Sequence, residues 1–323
     1  EWVKNNRYLQ FYPDTGELRR ELYKKHLEFF AAGAKYRERL FLAGNRVGKS
    51  ESVGGYELTL HLTGLYPHWW PGKRFNKPIK AWAAGDTGKT TRDIIQQKLL
   101  GSYPNFGTGL IPKHCIVEKP LNKPGVPEAV EIIRIKHHTD GKYDGVSYLS
   151  LKSYDQRREA FQGTEIDVIW LDEEPPLAIY TECLLRTMTT NGHILCTFTP
   201  LLGLSEVVLS FLPGGQLQVV DEQLKQPKFV VMATWDDAPH LTIEQREALW
   251  ASIPIHQRDA RTKGVPQLGS GAIYPLGEEG IVCEPFAIPD SWPRIYAQDV
   301  GWNCTAAIWG ALDRESDTVY LYS

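Results

Sequence analysis

The sequence predicts an α/β fold built on a doubly wound sheet, because short apolar segments alternate with helical segments along residues 1–240. The apolar segments are short and mostly unbroken, a pattern typical of parallel strands that are buried on both faces. These predicted strands are Arg39–Ala43, Ile79–Ala84, Val168–Leu171, His193–Phe198 and Phe229–Thr234. The helices predicted between several of them are Lys49–Leu62, Thr90–Leu100 and Leu177–Thr189.

Other regions depart from this alternation. Glu131–Lys136 and Val146–Lys152 flank a polar turn and predict a β-hairpin, which interrupts the α/β alternation. Residues 241–290 read as a helical and linker region, with a break at Pro254 and a Gly- and Pro-rich stretch from residue 264 to 280. Residues 291–323 then show three strands in succession, which we interpret as the start of another domain.

Composition and charge exclude several classes of protein. The 323 residues carry a formal net charge of -3, so the chain is not a uniformly basic nucleic-acid coat. Residues 1–50 hold 11 Lys and Arg against 6 Asp and Glu, a local balance of +5, so the rest sums to -8. The five cysteines form no C-x-x-C pair, which argues against zinc and a disulfide framework and favours a reducing compartment. No apolar run reaches transmembrane length, so we expect no membrane association.

The segment AGNRVGKS resembles a phosphate-binding loop and has the required context, a predicted strand before it and a helix after it. Glycines allow backbone N–H groups to turn toward phosphate oxygens, and the start of the following helix attracts the same anion. Lys49 would place a charge at the β- and γ-phosphates, the Ser50 hydroxyl would ligate Mg²⁺, and Arg46 would add a second cation. The predicted nucleotide-binding residues of this loop are Gly44, Asn45, Arg46, Val47, Gly48, Lys49 and Ser50. The alternative is a Gly-containing turn flanked by surface cations.

A second motif, DVIWLDEEPP, supplies the other half of a nucleotide site. A buried strand ends there in carboxylates, and ligands of open α/β sheets bind at the carboxyl ends of strands. Asp172 is then placed to hold Mg²⁺, and Glu173 to orient or deprotonate an attacking water. With the loop, this predicts a P-loop NTPase of the RecA-like (ASCE) type, which carries its own catalytic glutamate. Thr197 and Thr199, at the end of the next strand, could report the state of the γ-phosphate, or be no more than strand-forming threonines.

Several blocks together resemble the large terminase subunit of tailed bacteriophages, the motor that packages DNA. The blocks are RERLFLAGNRVGKS, KAWAAGDTGKTTRDI, EAFQGTEIDVIWLDEEPP, ILCTFTP and TWDDAPHL, in the order typical of that family. The resemblance covers nearly the whole chain. It implies an ATPase domain followed by a nuclease domain with an RNase H-like fold.

The resemblance also implies roles for particular residues. Lys49 and Ser50 match the Walker A lysine and hydroxyl, Asp172 the Walker B aspartate and Glu173 the catalytic glutamate. Thr197 and Thr199 lie in the motif that couples hydrolysis to movement. Arg46 resembles the Walker A arginine, which stands one position earlier in many relatives, where this chain has Asn45.

Two further expectations follow from the resemblance. His26 occupies the position of an adenine-reading glutamine, although a neutral imidazole makes one contact where glutamine makes two. Asp299, in YAQDVGWN, matches the first carboxylate of a nuclease site that uses Mg²⁺ or Mn²⁺. Because the sequence starts at Glu1 and ends after three strands of this fold, we expect a fragment that does not cleave DNA.

The resemblance implies ATP and Mg²⁺ as cofactors and double-stranded DNA, a portal protein and a small terminase subunit as partners. It also implies a homo-oligomeric ring in the host cytoplasm that docks transiently on the procapsid portal and is absent from the mature virion. Two alternatives stay open: a helicase-like nucleic-acid ATPase, and a nucleotide-binding assembly scaffold with little turnover. Arg157 and Arg158 are candidate trans-acting arginines or, alternatively, solvated charges.

Overall fold

A computed structural model describes residues 6–212, 228–254, 257–266, 282–300 and 305–322. The chain divides into two compact units, Glu1–Pro275 and Leu276–Ser323. The first unit includes much of the region 241–290 that the sequence suggested as a separate linker. The domain boundaries expected at residues 240 and 290 stay predictions.

The first unit is organised around one sheet in which eight described strands follow the order β3-β4-β5-β2-β6-β7-β1-β8. These strands are β1 Glu38–Ala43, β2 Lys80–Gly85, β3 Leu121–Asn122, β4 Val130–Thr139, β5 Lys142–Ser153, β6 Val168–Asp172, β7 His193–Phe198 and β8 Lys228–Ala233. The five pairings that join β5, β2, β6, β7, β1 and β8 in this order are all parallel, so the carboxyl ends of these six strands share one edge of the sheet. β7 lies between β1 and β6, which places the loop after β1 and the acids after β6 at that edge.

Helices connect the strands much as the sequence predicts. They are α1 Lys24–Ala32, α2 Tyr56–Thr63, α3 Gly88–Thr90, α4 Gln97–Leu100, α5 Leu177–Met188, α6 Glu206–Phe211, α7 Ile243–Ser252 and α8 Arg258–Lys263. A π-helical segment, Lys49–Gly55, runs into α2, and another, Thr91–Gln96, joins α3 to α4. The predicted strands and helices agree with these bounds to within two residues at most ends, and α6 is an element that the sequence did not predict.

The apolar runs lack alternation because both faces of the sheet are covered. Phe41 and Trp170 pack into one core cluster, whereas their neighbours Leu40, Leu42 and Leu171 pack into the other. Every residue of β6 and β7 is buried. The predicted hairpin is also present, but it does not stand outside the α/β sheet: β5 pairs in parallel with β2, so β4 and β5 extend the main sheet.

The second unit contains the three strands predicted near the end of the chain. They are β9 Arg294–Val300, β10 Thr305–Asp313 and β11 Thr318–Leu321, in the antiparallel order β11-β10-β9. Asp299 lies on β9, exposed, opposite Ala306 of β10. Within the described parts of both units, every helix is too short or too polar to cross a membrane.

Candidate nucleotide-binding site

The segment Gly44–Gly48 forms a tight loop between β1 and the helical segment that starts at Lys49. Arg46 and Gly48 adopt positive φ angles of 64° and 92°. For a residue with a Cβ this conformation is strained, which accounts for glycine at position 48. Strained backbone of this kind concentrates at functional sites.

The loop presents a row of unsatisfied donors. Among the described residues, the backbone N–H groups of Arg46, Val47 and Gly48 find no hydrogen-bond acceptor. Lys49 and Ser50 open the helix, where the first N–H groups have no intrahelical partner. Successive free amides at a helix start form an anion-binding nest, so the loop has the backbone chemistry of a phosphate site.

The carbonyl groups of the same loop are bound by side chains from distant segments. The Nε2–H of His26 donates to the Val47 oxygen at 2.9 Å, and the Nε1–H of Trp235 donates to the Asn45 oxygen at 2.9 Å. The Nε2–H of His240 donates to the Arg46 oxygen at 2.8 Å.

His26 therefore does not present a free ring to an adenine base. Its side chain is fully buried, and its Nδ1 lies 2.8 Å from the Tyr12 hydroxyl, which also lies 2.6 Å from the Ser52 carbonyl oxygen. Burial lowers the pKa of His26 to about 3, so the ring is neutral at pH 7. Both ring nitrogens are occupied, and the structure places His26 as a support of the loop.

The end of α8 packs directly on the start of the loop. The Asn45 N–H donates to the Arg261 carbonyl oxygen at 2.6 Å. A Cβ on Gly44 would come within 2.6 Å of the Thr262 oxygen and 2.8 Å of the Arg261 oxygen. Only glycine at position 44 allows this close approach of two backbones.

Asp172 ends β6 as a buried carboxylate held by a hydroxyl group. The Thr197 hydroxyl donates to its Oδ1 at 2.8 Å. Thr197 in turn accepts a hydrogen bond from the Trp170 indole at 2.7 Å. Burial raises the pKa of Asp172, while Thr197, Lys49 and Ser50 favour its ionised form.

Glu173 faces the loop lysine. The Lys49 Nζ lies 4.0 Å from the Glu173 Oε1. Burial raises the pKa of Glu173, while the charge of Lys49 opposes this shift. Its φ is 64°, a second strained backbone position at the same edge of the sheet. The Tyr154 hydroxyl, 3.1 Å and 3.0 Å from the carbonyl oxygens of Asp172 and Glu173, fixes this turn.

Thr199 ties the acidic side of the site to the loop. Its hydroxyl donates to the Ala43 carbonyl oxygen at 2.8 Å and lies 3.3 Å from the Asn45 side-chain oxygen. Thr197 binds Asp172, as described above. The two threonines therefore link β7 to both halves of the site, although their role in coupling stays a prediction.

Glu174, which follows the predicted pair Asp172 and Glu173, and the other predicted residues lie elsewhere or have no partner. The Arg46 side chain is exposed, and no described residue pairs with it. Glu174 binds Ser205 at the start of α6 and is thus a structural residue. Arg158 lies 3.8 Å from Glu182 of α5. Asp299 belongs to the second unit.

The residues present fit a magnesium ion bound together with a nucleotide. A hydroxyl and a carboxylate are hard oxygen ligands, and Mg²⁺ in such sites uses one or two protein ligands plus phosphate oxygens. Ser50, at the start of the helical segment after the loop, and Asp172, at the end of β6, supply that pair. The described residues contain no cluster of three or more His, Cys, Asp or Glu that could hold a metal ion.

A second segment, GDTGKT after β2, has a similar sequence but different surroundings. The Gly88 N–H donates to the Asp155 carboxylate at 3.0 Å, and Thr87 and Thr90 cap each other. Protein acceptors thus satisfy this helix start. Lys89 is exposed, which makes it a useful control for Lys49.

The sequence did not identify Trp235, His240, Tyr154 or the backbone of α8 as parts of the site. TWDDAPHL was recognised as a block of the resemblance, but without a role. The only available signal was a Trp and a His within six residues of each other after a buried strand, which does not reveal what they contact.

Known proteins similar to this chain support the same interpretation. The family model described as terminase large subunit, T4likevirus-type, N-terminal, matches residues 40–281. A large terminase subunit of Salmonella phage P22 is 41% identical over 318 residues, 93% of this chain and 61% of that protein. Another, of Enterobacteria phage LP7, is 39% identical over 252 residues, 75% of this chain and 49% of that protein. This chain thus spans about half to three fifths of the length of these relatives.

A solved structure also matches the fold. The large terminase ATPase domain of Thermus phage P74-26 has a TM-score of 0.50 and 18% identity, and the match covers 76% of this chain and 96% of that domain. At this identity the likeness concerns the fold alone, an α/β P-loop fold. Because the family model covers more than half of its residues, the chain belongs to the T4likevirus-type large terminase subunit family.

Proposed function

We propose that this chain hydrolyses ATP and that the hydrolysis drives translocation of double-stranded DNA into a viral procapsid. The observation that carries the proposal is the meeting of two motifs at one edge of the sheet. Free loop amides and Lys49 lie opposite Asp172 and Glu173, with 4.0 Å between the Lys49 Nζ and the Glu173 carboxylate.

Each side chain has a distinct task in this proposal. Lys49 leaves Glu173 for the β- and γ-phosphates when a nucleotide binds, which frees the carboxylate to orient and deprotonate water. Ser50 and Asp172 would hold Mg²⁺, which supplies neutralising charge for the phosphate oxygens. Arg46, exposed at the rim of the loop, adds a cation for the charge that develops on the transferred phosphoryl group.

The larger assembly follows from family membership rather than from the geometry. The relatives are named large terminase subunits. We therefore propose double-stranded DNA, a portal protein and a small terminase subunit as partners, and a homo-oligomeric ring at the procapsid portal as the working state in the host cytoplasm. The second unit, with Asp299 on its first strand, would begin an RNase H-like nuclease that uses Mg²⁺ or Mn²⁺.

The first test is phosphate release from ATP and Mg²⁺ at several concentrations of double-stranded DNA. Lys49→Ala and Glu173→Gln should each lower turnover by about a hundredfold or more, because both groups act on the reacting phosphates. Lys89→Ala, in the second GKT segment, and Glu165→Gln, at the opposite end of β6, are matched controls that should retain parental turnover.

The outcomes separate the alternatives. Stimulation by intact duplex favours the packaging motor, whereas unwinding of a forked duplex favours a helicase-like ATPase. Binding of ATP with negligible turnover, even with DNA present, favours an assembly scaffold. Equal turnover in the parent and in Glu173→Gln would show that the site is wrongly assigned.

A further inference from the structure

The segment after β8 makes contacts with the loop for which the catalytic assignment gives no role. The indole N–H of Trp235 binds the carbonyl oxygen of Asn45, and the ring N–H of His240 binds that of Arg46. Trp235 is 190 residues from Asn45 in sequence, and His240 is 194 residues from Arg46. Such long-range donors must be positioned by the fold and do not arise from local turn chemistry.

The consequence for the loop follows from peptide geometry. In a planar trans peptide, the carbonyl oxygen and the next N–H point in opposite directions. Fixing the Asn45 and Arg46 oxygens therefore turns the N–H groups of Arg46 and Val47 to the opposite side. These are amides that have no acceptor among the described residues. The two donors thus set the orientation of the groups that would bind phosphate.

The segment that carries the donors is itself held by hydrogen bonds and an ion pair. Thr234 and Asp237 form a capping box, with the Thr234 N–H donating to the Asp237 carboxylate at 2.8 Å. Arg246 of α7 pairs with Asp236 at 3.0 Å and donates to the Ala238 oxygen at 3.3 Å.

The rings of the two donors are also held. The imidazole of His240 stacks on Tyr23, with 6.1 Å between ring centroids and 14° between planes. The Trp235 side chain is 7% exposed. Donors that the fold already holds in place can hold a strained loop, because no further conformational entropy of the donor side chains is lost.

We propose that Trp235 and His240 are positioning residues that keep the loop amides aimed at the phosphates and relay phosphate binding to the segment that leads into α7. The proposal rests on the proposed nucleotide site. Two sites that stabilise the same loop conformation strengthen each other by thermodynamic reciprocity. Phosphate binding should therefore tighten the Trp235 and His240 hydrogen bonds, just as those bonds strengthen phosphate binding.

The test compares variants of the full chain that remove one donor each. Trp235→Phe and His240→Ala should bind ATP and inorganic triphosphate roughly tenfold more weakly, the effect of one lost hydrogen bond to a loop carbonyl. KM should rise by a similar factor with kcat little changed, because the loop holds ground and transition states alike. Trp250→Phe, on exposed Trp250 of α7, and His240→Gln, which retains a donor, should bind like the parent.

A second readout is made on the unsubstituted chain. In the parent, the indole N–H resonance of Trp235, assigned by its loss in Trp235→Phe, should exchange with solvent more slowly once inorganic triphosphate is added. The Trp250 resonance should not respond. A merely structural role for Trp235 would change the denaturation midpoint of the variant but leave triphosphate affinity and this exchange rate unchanged.

Failure of the inference is distinguishable from failure of the proposed function. If the parent hydrolyses ATP and all variants bind triphosphate equally, the positioning role is wrong and the ATPase assignment stands. If the parent binds triphosphate but does not hydrolyse ATP, the weakened binding of Trp235→Phe and His240→Ala still supports the role while the ATPase assignment fails. If the parent binds no polyphosphate, both are overturned.

Discussion

His26 shows how one residue can keep its place in a site while its task differs from the expected one. The sequence suggested a contact to adenine, and the structure instead turns its Nε2–H to the Val47 carbonyl beneath the loop. No part of the local sequence indicates this difference, because it depends on the burial of the ring between Tyr12 and Phe41. The burial of His26 therefore leads to a prediction about how the stability of the fold depends on pH.

Acidification should destabilise the first unit through His26. The pKa of its buried ring is lowered to about 3, whereas the ring in the unfolded chain takes up a proton near pH 6.5. Its contribution to stability is thus complete above pH 6.5 and is lost as the pH falls toward 3. Between pH 7 and pH 5 this costs about 1–2 kcal/mol. His193, with a pKa lowered to about 3 by burial, adds a similar loss.

Urea unfolding at pH 7 and pH 5, followed by tryptophan fluorescence, measures this effect. His26→Gln keeps a donor for Val47 but cannot titrate, so its loss of stability between the two pH values should be smaller than that of the parent by about 1–2 kcal/mol. His68→Gln, at an exposed histidine, should behave as the parent does. Equal losses in the parent and in His26→Gln would show that His26 is not the neutral, buried group described.

The helical segment Lys49–Gly55 packs closely against strand β6 at one glycine, Gly54. A Cβ on Gly54 would lie 2.1 Å from the Trp170 Nε1, the atom that binds Thr197 and so supports Asp172. Trp170 is fully buried. The packing of this helix on the sheet therefore also determines where the Asp172 carboxylate lies.

Gly54→Ala should lower the free energy of unfolding by about 1–3 kcal/mol, the usual effect of overpacking, although alanine favours helices. Gly88→Ala is the matched control at another helix, because its added Cβ would meet nothing closer than 3.6 Å. The denaturation midpoints of both variants and the parent measure this change in stability. A midpoint for Gly54→Ala at or above that of the parent would mean that the helix is not pressed against Trp170.

Some features of the strands and helices could be predicted from the sequence, and others could not. The parallel strands were predictable because burial on both faces leaves a local signal, and the meeting of the loop and the acidic motif at one edge of the sheet was predictable because both motifs lie at the carboxyl ends of predicted strands. The roles of Lys49, Ser50, Asp172 and Glu173 stay predictions. The pairing of β5 with β2 was not predictable, because strand neighbours are chosen by long-range packing. The Trp235 and His240 contacts were hidden for the same reason, being made to residues about 190 positions away.

For the whole molecule, the charge distribution bears on how DNA would be held. The formal net charge is -3, and the basic excess of residues 1–50 is partly neutralised within the fold. Arg7 and Arg39 pair with Glu51 and Glu57, which lie outside residues 1–50 and so reduce the excess. Arg20 and Lys25 pair with Asp14 and Glu28 inside that range. Those cations are less available for phosphates than the sequence suggests.

We therefore expect weak, shallowly salt-dependent binding of duplex DNA by this chain. The affinity measured by fluorescence anisotropy at several salt concentrations should give a slope of log K against log[salt] no steeper than about −4, since each phosphate contact contributes about −0.9. Lys49→Ala should show the same slope, because Lys49 faces Glu173 in the nucleotide site. A slope near −8 would require about nine phosphate contacts, and would point to a basic DNA-binding surface that the internal ion pairs argue against.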